Sequence, residues 1–351
     1  MRRMTKTAAF FSAAALLLSA CGGNGGDTGN GNNGNDGEAA QSDIKVGMAY
    51  DVGGRGDQSF NDAAAKGMDQ AVEEFGMESQ ESEAADGEPE SAREERLRTF
   101  ADAGYNPIIA VGFAYSGAVA KVAPDYPDVH FAIIDDEGAQ GDNIANLVFA
   151  EEQGSFLVGA AAALESKNGH VGFIGGVEVP LIQKFEAGFV AGAEEVNPDI
   201  KIEKTYLTQA PDFSGFNDPA KGKTAAQGMF DAGADVVYHA AGGSGGGLFE
   251  AAAESGNWAI GVDSDQYELA DESVRDSILT SMLKNVDVAV YEFLAEVEGG
   301  TFPSGSVRYD LEADGVGYST SGDFLSQETI DKMEEYKEQI ISGDITVSAE
   351  P

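Results

Sequence analysis

Short apolar runs alternate with stretches of helical periodicity along most of the chain, and no other feature constrains its fold as strongly. The runs IKVGMAYDV (44–52) and PIIAVG (107–112) have the length of buried strands. Between them, SFNDAAAKGMDQAVEEF (59–75) carries apolar residues at helical spacing. Strands that alternate with helices predict parallel sheets with crossover helices. The first set of these units extends to about residue 150.

The same scheme starts again after a predicted helix at about 151–166. HVGFIGG (170–176) is its first strand, and ADVVYHAA (234–241) and WAIGVDSD (258–265) are later ones. Two successive sets predict two Rossmann-like lobes in an α/β chain. The last segment, 302–351, predicts one or two strands and a final helix.

The N-terminus has the pattern of an export signal. Residues 1–20 hold three early cations, an apolar run too short to span a bilayer, and a small-residue cleavage site. Leu18-Ser19-Ala20-Cys21 resembles a bacterial lipobox, in which the cysteine is acylated. Residues 21–42 are rich in Gly and Asn and predict a flexible tether. We therefore expect a lipid anchor on Cys21 that holds the protein at the cell membrane outside the cytoplasm, either in a periplasm or on an outer face.

Charge excludes one class of partner. The chain has 61 acidic residues against 21 Lys plus Arg, a net charge of −40. Such a field repels nucleic acid and anionic lipid, so we expect no nucleic-acid partner. A hypersaline habitat would explain the acidity because salt screens the self-repulsion. An ordinary acidic exported protein is the alternative.

The stretch GGSGG (242–246) matches the G-x-S-x-G nucleophile elbow of a hydrolase. In that fold the acid and the histidine follow the serine, whereas His130, His170 and His239 all precede Ser244. The elbow is therefore excluded, although a triad with another chain order stays open. A Gly-rich turn whose backbone contacts a ligand is the preferred interpretation.

Cofactor and metal motifs are incomplete. DVGGRGDQSF (51–60) approaches a dinucleotide fingerprint, but Ser59 stands where the third glycine belongs. Three scattered histidines and one cysteine give no zinc spacing. DSDQYELADES (263–273) lacks the central Gly and final Glu of a calcium loop. We expect neither a cofactor nor a metal.

Seven segments in chain order resemble the basic membrane protein (BMP) lipoprotein family. They are DVGGRGDQSFND, FAIIDD, AEEQGSFLVGAAAAL, FIGGVEVPLIQKFEAGFVAGA, DVVYHAAGGSGGG, IGVDSDQ and TSMLKNVDVAVY. The resemblance covers about residues 44–300 and implies the type I periplasmic-binding-protein fold, with two α/β lobes joined by three hinge crossings. It implies an N-terminal lobe of 43–149 plus about 266–300 and a C-terminal lobe of 150–265 plus about 301–351.

The better-understood members of that family are purine-nucleoside receptors that feed ABC importers, and the resemblance assigns residues to such a ligand. Phe60 and Phe185, one from each lobe, would stack on the base, an interaction worth about 1–3 kcal/mol. Asp263 would accept hydrogen bonds from two ribose hydroxyls, and Lys284 would donate to the ribose. Each residue also has an ordinary explanation, namely a core phenylalanine, a helix N-cap or a surface lysine.

The resemblance gives five further residues a role at the ligand. Asp51, Asn61 and Asp135 would contact the base, and an Asn side chain both donates and accepts hydrogen bonds. Gly242 and Gly243 would supply backbone contacts.

We therefore expect a lipid-anchored, non-catalytic receptor that captures a purine nucleoside between its lobes. It would pass the ligand to a membrane permease with a cytoplasmic ATPase. A receptor of the same fold for a simple sugar or another small metabolite remains an alternative. An exported nucleoside hydrolase is a second, and an adhesin that uses Arg55-Gly56-Asp57 is a third with little support.

Overall fold

A computed structural model describes residues 42–85 and 87–351, and their strands form two six-stranded sheets. The predicted signal peptide, Cys21 and the predicted tether through residue 41 lie outside the described residues. Within the described ranges, no helix is both long enough and apolar enough to cross a bilayer.

Strands and helices alternate through most of the described chain. In order they are β1 (Lys45–Ala49), α1 (Phe60–Phe75), β2 (Glu78–Ser82), α2 (Glu90–Asp102), β3 (Ile108–Ala110), α3 (Ser116–Val122), β4 (Phe131–Ile134), β5 (Ile144–Phe149), α4 (Glu151–Glu165), β6 (His170–Glu178), α5 (Pro180–Val196), β7 (Lys201–Gln209), α6 (Pro219–Asp231), β8 (Val236–Ala240), α7 (Gly245–Ser255), β9 (Trp258–Asp263), α8 (Gln266–Leu269), β10 (Ile278–Lys284), α9 (Val286–Glu298), β11 (Gly305–Tyr309), β12 (Val316–Tyr318) and α10 (Gln327–Ser342).

Each sheet forms the centre of one lobe. The first has the strand order β11-β5-β4-β3-β1-β2, and all of its neighbouring strands are parallel. The second has the order β12-β10-β9-β8-β6-β7 and is parallel except for the antiparallel pair β10 and β12. Strands β3, β4 and β5 are buried along their whole length, as parallel strands between helical layers must be. The predicted two-lobed α/β fold is confirmed.

The chain passes between the two sheets three times, near 149–151, 284–286 and 309–316. Helix α4 follows the first passage and packs against α5 in the second lobe. Helix α9 follows the second passage and packs against α1 in the first lobe. After β11, the third passage returns the chain to β12 and the second sheet.

Two strands lie in the opposite sheets from those that the sequence predicted. Strand β10, placed in the N-terminal lobe by the range 266–300, pairs with β9 in the second sheet. Strand β11, placed in the C-terminal lobe by the range 301–351, pairs with β5 in the first sheet. The predicted lobe boundaries are therefore wrong at these two strands, because alternation along the chain does not say which sheet a strand joins.

Glycines allow two contacting helices of the second lobe, α4 and α5, to approach closely. A methyl group on buried Gly192 of α5 would overlap the carbonyl oxygen of Phe156 in α4. Gly159 of α4 faces the backbone of Phe189 in the same way. Backbone contact at this distance leaves no space for a side chain.

We expect Gly192→Ala to destabilise the protein by about 1–3 kcal/mol, because the added methyl must push two helices apart. The matched control is Gly228→Ala in the interior of α6, where a methyl group would meet no atom within 4 Å. That change should raise stability by about 0.5–1 kcal/mol through helix propensity. Urea denaturation measures both, and equal gains from the two substitutions would contradict the close helix contact.

Candidate functional site

A cavity lies between the lobes at the carboxyl ends of the parallel strands. Ligands of open α/β sheets bind in this position because the loops after the strands converge there. The cavity is lined by Asp51, Val52, Asp57, Phe60, Asn61, Gly112, Phe113, Asp135, Leu181, Ile182, Phe185, Phe216, Ala240, Ala241, Gly242, Val262, Asp263 and Lys284.

The structure brings together eight of the nine residues that the sequence predicted for ligand binding. They are Asp51, Phe60, Asn61, Asp135, Phe185, Gly242, Asp263 and Lys284. Gly243 is not among the lining residues, and a Cβ on it would face the turn at Phe216 and Asn217. Gly242 has φ +53°, a left-handed conformation that glycine adopts at low cost.

Lys284, at the end of β10, is a buried cation with carboxylates on two sides. Its Nζ lies 2.6 Å from Asp135 of the first lobe and 3.0 Å from Glu151, the first residue of α4. Burial opposes the charged form, but the carboxylates of Asp135, Glu151 and Asp263 outweigh it and raise the pKa of Lys284. The lysine is therefore held in its charged form.

Aromatic rings surround the same ammonium group. Its Nζ lies 5.2 Å from the ring centroid of Phe60 and 5.4 Å from that of Phe185, and these rings come from different lobes. The ring of Phe149 is 5.0 Å away. Cation–π attraction favours this arrangement where water is excluded. The cavity therefore has aromatic walls beside a charged, polar end.

Asp135 and Asp263 end their strands in the left-handed region, with φ +66° and +64°. This conformation is uncommon for a residue with a side chain and often marks a functional site. Burial raises the pKa of Asp135 to about 6 and that of Asp263 to about 7, although Lys284 opposes both shifts. Asp135 lines the cavity, and its Oδ1 is buried without a hydrogen-bond partner.

The start of α1 is organised by Asp57, which the sequence analysis did not select. Its carboxylate accepts hydrogen bonds from the backbone N–H groups of Ser59, Asn61 and Asp62. Asn61 Nδ2 also donates to Asp57, and Asn61 Oδ1 accepts the N–H of Asp51. The Asn61 side chain thus makes hydrogen bonds within the first lobe and also lines the cavity.

Asp51 lies beside this network. Burial raises the pKa of its carboxyl to about 6, although the N–H of Val52 donates to it and Arg93 lies near enough to oppose the shift. Gly112, at φ +100°, leaves space for it, since a Cβ there would lie 2.7 Å from Asp51 Oδ2.

The hydroxyl of Ser244 makes hydrogen bonds that do not suit a nucleophile. It donates to the carbonyl oxygen of Gly215 at 2.7 Å and accepts the N–H of Asp218 at 2.7 Å. His239 Nε2 instead faces Gln266, 3.0 Å away. In this arrangement no histidine contacts the serine.

The Arg55-Gly56-Asp57 triplet is also engaged within the fold. Arg55 pairs with Asp69 and Glu81, and Asp57 is buried at the start of α1. Its two charged side chains are therefore occupied, which argues against the adhesin alternative.

Four more residues at the site escaped the sequence analysis as individual candidates. Asp57, Phe113 and Phe216 line the cavity, and Glu151 pairs with Lys284. Asp57 and Glu151 lie inside segments quoted for the family resemblance, which could have drawn attention to them. Phe216 lies in a loop whose sequence, DFSGFND, carries no strand or helix pattern.

Comparison with known proteins identifies the sequence relatives. The family described as ABC transporter substrate-binding protein PnrA-like matches residues 44–350. The chain is 35% identical to the CD4+ T-cell-stimulating antigen of Listeria innocua, over 97% of this chain and 96% of that protein. It is 33% identical to the ABC transporter nucleoside-binding protein BmpA of Lactococcus lactis, over 88% of this chain and 90% of that protein.

The fold has a solved counterpart in an ABC transporter solute-binding protein from Aeropyrum pernix K1. The two chains share 30% identity and a TM-score of 0.77, over 87% of this chain and 93% of the other. Two of these three proteins are thus named as binding proteins of ABC transporters, and the one from Aeropyrum pernix shares the fold.

We expect Asp263→Asn to stabilise the ligand-free protein at neutral and higher pH. The raised pKa means that the folded state binds this proton more tightly than the unfolded chain does. The stability that the folded state gains from holding this proton on Asp263 is therefore complete below about pH 4, and it is lost as pH rises through about 7. The variant, which carries no titratable group there, should exceed the wild type above pH 7 by on the order of 1.4 kcal/mol per unit of pKa shift.

Thermal unfolding between pH 4 and pH 8.5 tests this expectation. The difference between variant and wild type should shrink toward pH 4. Asp271→Asn, at an exposed position, is the matched control and should give no pH-dependent difference. A constant difference across the range would contradict the assignment of the raised pKa to Asp263.

Proposed function

The chain belongs to the PnrA-like family of ABC transporter substrate-binding proteins, and on that premise we propose that it binds a purine nucleoside between its lobes and delivers it to an ABC permease. The observation that carries the proposal is the placement of Lys284 and Asp263 beside Phe60 and Phe185 in one cavity. Such a site offers apolar faces to a flat base and charged groups to a ribose.

The base would lie between the two lobes. Phe60 stands at the first residue of α1, and Phe185 lies on α5 of the other lobe. Stacking on aromatic rings tolerates any base and is worth about 1–3 kcal/mol each. Because one ring comes from each lobe, a bound base would also hold the lobes together.

The ribose would meet the charged end of the cavity. The carboxylate of Asp263 suits neighbouring hydroxyl donors. Asp135, which the resemblance assigned to the base, lies beside Lys284, and we now propose that its unpartnered Oδ1 accepts from a ribose hydroxyl instead. Lys284 would donate to a ribose oxygen while it keeps its pairing with Glu151. A buried acceptor without a partner costs roughly 1–3 kcal/mol, so a hydroxyl donor at this place is favoured.

The charge balance disfavours phosphorylated ligands. Four carboxylates line the cavity, those of Asp51, Asp57, Asp135 and Asp263, against the single ammonium of Lys284. That ammonium is already paired with two carboxylates. The carboxylates would repel a phosphate placed there. The phosphate would also lose its hydration without gaining an unpaired cation as a partner. The favoured ligand is therefore a neutral nucleoside.

A receptor role suits this geometry better than hydrolysis. The Ser244 hydroxyl is hydrogen-bonded to the protein backbone, and His239 is buried against Gln266. Asp263 and Asp135 could serve a sugar as well as a nucleoside, and aromatic rings stack on sugars as well as on bases. The relative from Lactococcus lactis, which is named as a nucleoside-binding protein, supports a nucleoside over a simple sugar.

Calorimetry with the full-length protein tests the ligand. The protein is unfolded and refolded to remove carried-over ligand, then titrated in low and in molar salt with adenosine, guanosine, inosine, cytidine and ribose. We expect saturable one-to-one binding of a purine nucleoside, much weaker binding of its 5′-monophosphate, and no heat from ribose. Binding of ribose with no nucleoside binding would overturn the proposal in favour of a sugar receptor.

Asp263→Asn should weaken nucleoside binding about tenfold, because a neutral amide replaces the carboxylate that accepts from the ribose hydroxyls. Asp271→Asn should leave the affinity unchanged. The same Asp263 variant is expected to be more stable than the wild type above pH 7, so a loss of affinity could not be ascribed to poor folding. Unchanged affinity would contradict the role of Asp263.

We further propose that acylation of Cys21 anchors the protein to the membrane. Cys21→Ser removes the thiol that would carry the lipid. The wild-type protein should partition into the detergent phase of Triton X-114, and the variant into the aqueous phase. Mass spectrometry of the wild-type N-terminus should show an acylated cysteine, and an unmodified Cys21 would refute the anchor.

A further inference from the structure

Three phenylalanine rings meet between the lobes on one side of the cavity. Phe113, after β3 in the first lobe, contacts Phe213 and Phe216 of the second lobe. The ring centroids are 5.6 and 6.4 Å apart, with interplanar angles of 88° and 71°. Both pairs have the edge-to-face geometry that aromatic rings prefer. Phe113 and Phe216 line the cavity, whereas Phe213 is not among the lining residues.

The loop that carries two of these rings is fixed by the GGSGG segment. Ser244, which is fully buried, bonds to the carbonyl oxygen of Gly215 and to the N–H of Asp218, at the two ends of the turn that contains Phe216. Gly176 of β6 leaves space for the Phe216 ring, because a Cβ there would overlap it. The serine that resembles a nucleophile is thus a positioning residue for the aromatic loop.

A cation from the first lobe also reaches this loop. The guanidinium of Arg93, on α2, lies 5.9 Å from the ring centroid of Phe213 and 5.9 Å from that of Tyr115. Arg93 is only 5% exposed, and its Nε has no hydrogen-bond partner. The ring of Phe213 therefore lies close to both Arg93 and Phe113, which belong to the opposite lobe.

We propose that Phe113, Phe213 and Phe216 form an aromatic lock that closes the two lobes over the ligand and sets how slowly it leaves. The inference rests on the proposed function, since it takes a nucleoside as the ligand. Phe213 contributes to the lock without lining the cavity. Its loss should therefore accelerate ligand release and leave the chemistry of recognition unchanged.

Release rates of the full-length protein test the lock. The protein is loaded with the fluorescent nucleoside 2-aminopurine riboside, which is then displaced by excess inosine in a stopped-flow instrument. Phe213→Ala should release the probe roughly tenfold faster, with an association rate within twofold of the wild type. Phe213→Tyr keeps the ring and should restore the wild-type rate. Ser244→Ala, which frees the loop, should also accelerate release.

The matched control is Phe324→Ala. Phe324 is half-buried in the second lobe and packs against Trp258 and Tyr267, away from the cavity lining. Its loss should lower the thermal midpoint but not change the release rate, which separates general destabilisation from the lock. If Phe213→Ala does not fold, Phe213→Leu takes its place in the test. Leucine keeps most of the apolar contact but lacks the aromatic ring, so this variant should also release the probe faster than the wild type.

Two results would overturn the inference, and they are distinguishable. Release rates of the Phe213 and Ser244 variants within twofold of the wild type would overturn the lock alone, since the wild type would still bind the probe. No binding of any nucleoside to the wild type would overturn the proposed function and the lock with it.

Discussion

The buried charge of Lys284 is the interaction on which the rest of the site depends. Its ammonium pairs with Asp135 at the end of β4 and with Glu151 at the start of α4, and all three side chains are almost fully buried. Lys284 itself ends β10, beside one passage between the sheets, and Glu151 lies beside another. Removal of one partner from such a buried group typically costs about 3–5 kcal/mol. The same ion pairs therefore fix the geometry of the cavity and the arrangement of the two lobes at their connections.

Other features of the site reduce stability rather than increase it. Asp135 and Asp263 adopt left-handed backbone conformations, and burial works against the ionised form of both carboxyl groups. A fold selected for stability alone would have no reason to place such groups at the ends of buried strands. Local strain and desolvated charge at one place are typical of functional sites, where a ligand supplies the missing interactions. A ligand that donates hydrogen bonds to these carboxylates would offset part of this cost.

Much of this site could be predicted because the family resemblance assigned its residues, and three of them also come at the ends of apolar runs that are easy to recognise as strands. Asp51, Asp135 and Asp263 all follow such runs, and parallel strands bring their carboxyl ends to one edge.

Strand β2, ESQES, could not be found in this way, since it lies at the edge of its sheet and is polar. Sheet membership also escaped prediction at β10 and β11, because the passages between the lobes leave no mark in hydrophobic periodicity. The hydrogen bonds of Asp57 to the start of α1 and to Asn61 were not predicted either, because helical periodicity does not show which side chain accepts the first N–H groups of a helix.

Lobe closure and ligand recognition use some of the same atoms. Ser59 of the first lobe donates to Asp263 at 2.5 Å, and Gln266 Nε2 donates to the carbonyl oxygen of Gln58 at 2.9 Å. Both bonds join the lobes, and the first involves a carboxylate that faces the cavity. Opening must break these bonds and leave Asp263 without Ser59, while a ligand that donates to Asp263 would add to the same acceptor. A ligand bound between the lobes would favour the closed form by the difference between its affinities for the closed and the open form, and the hydrogen bonds between the lobes would add their own, separate contribution to that form.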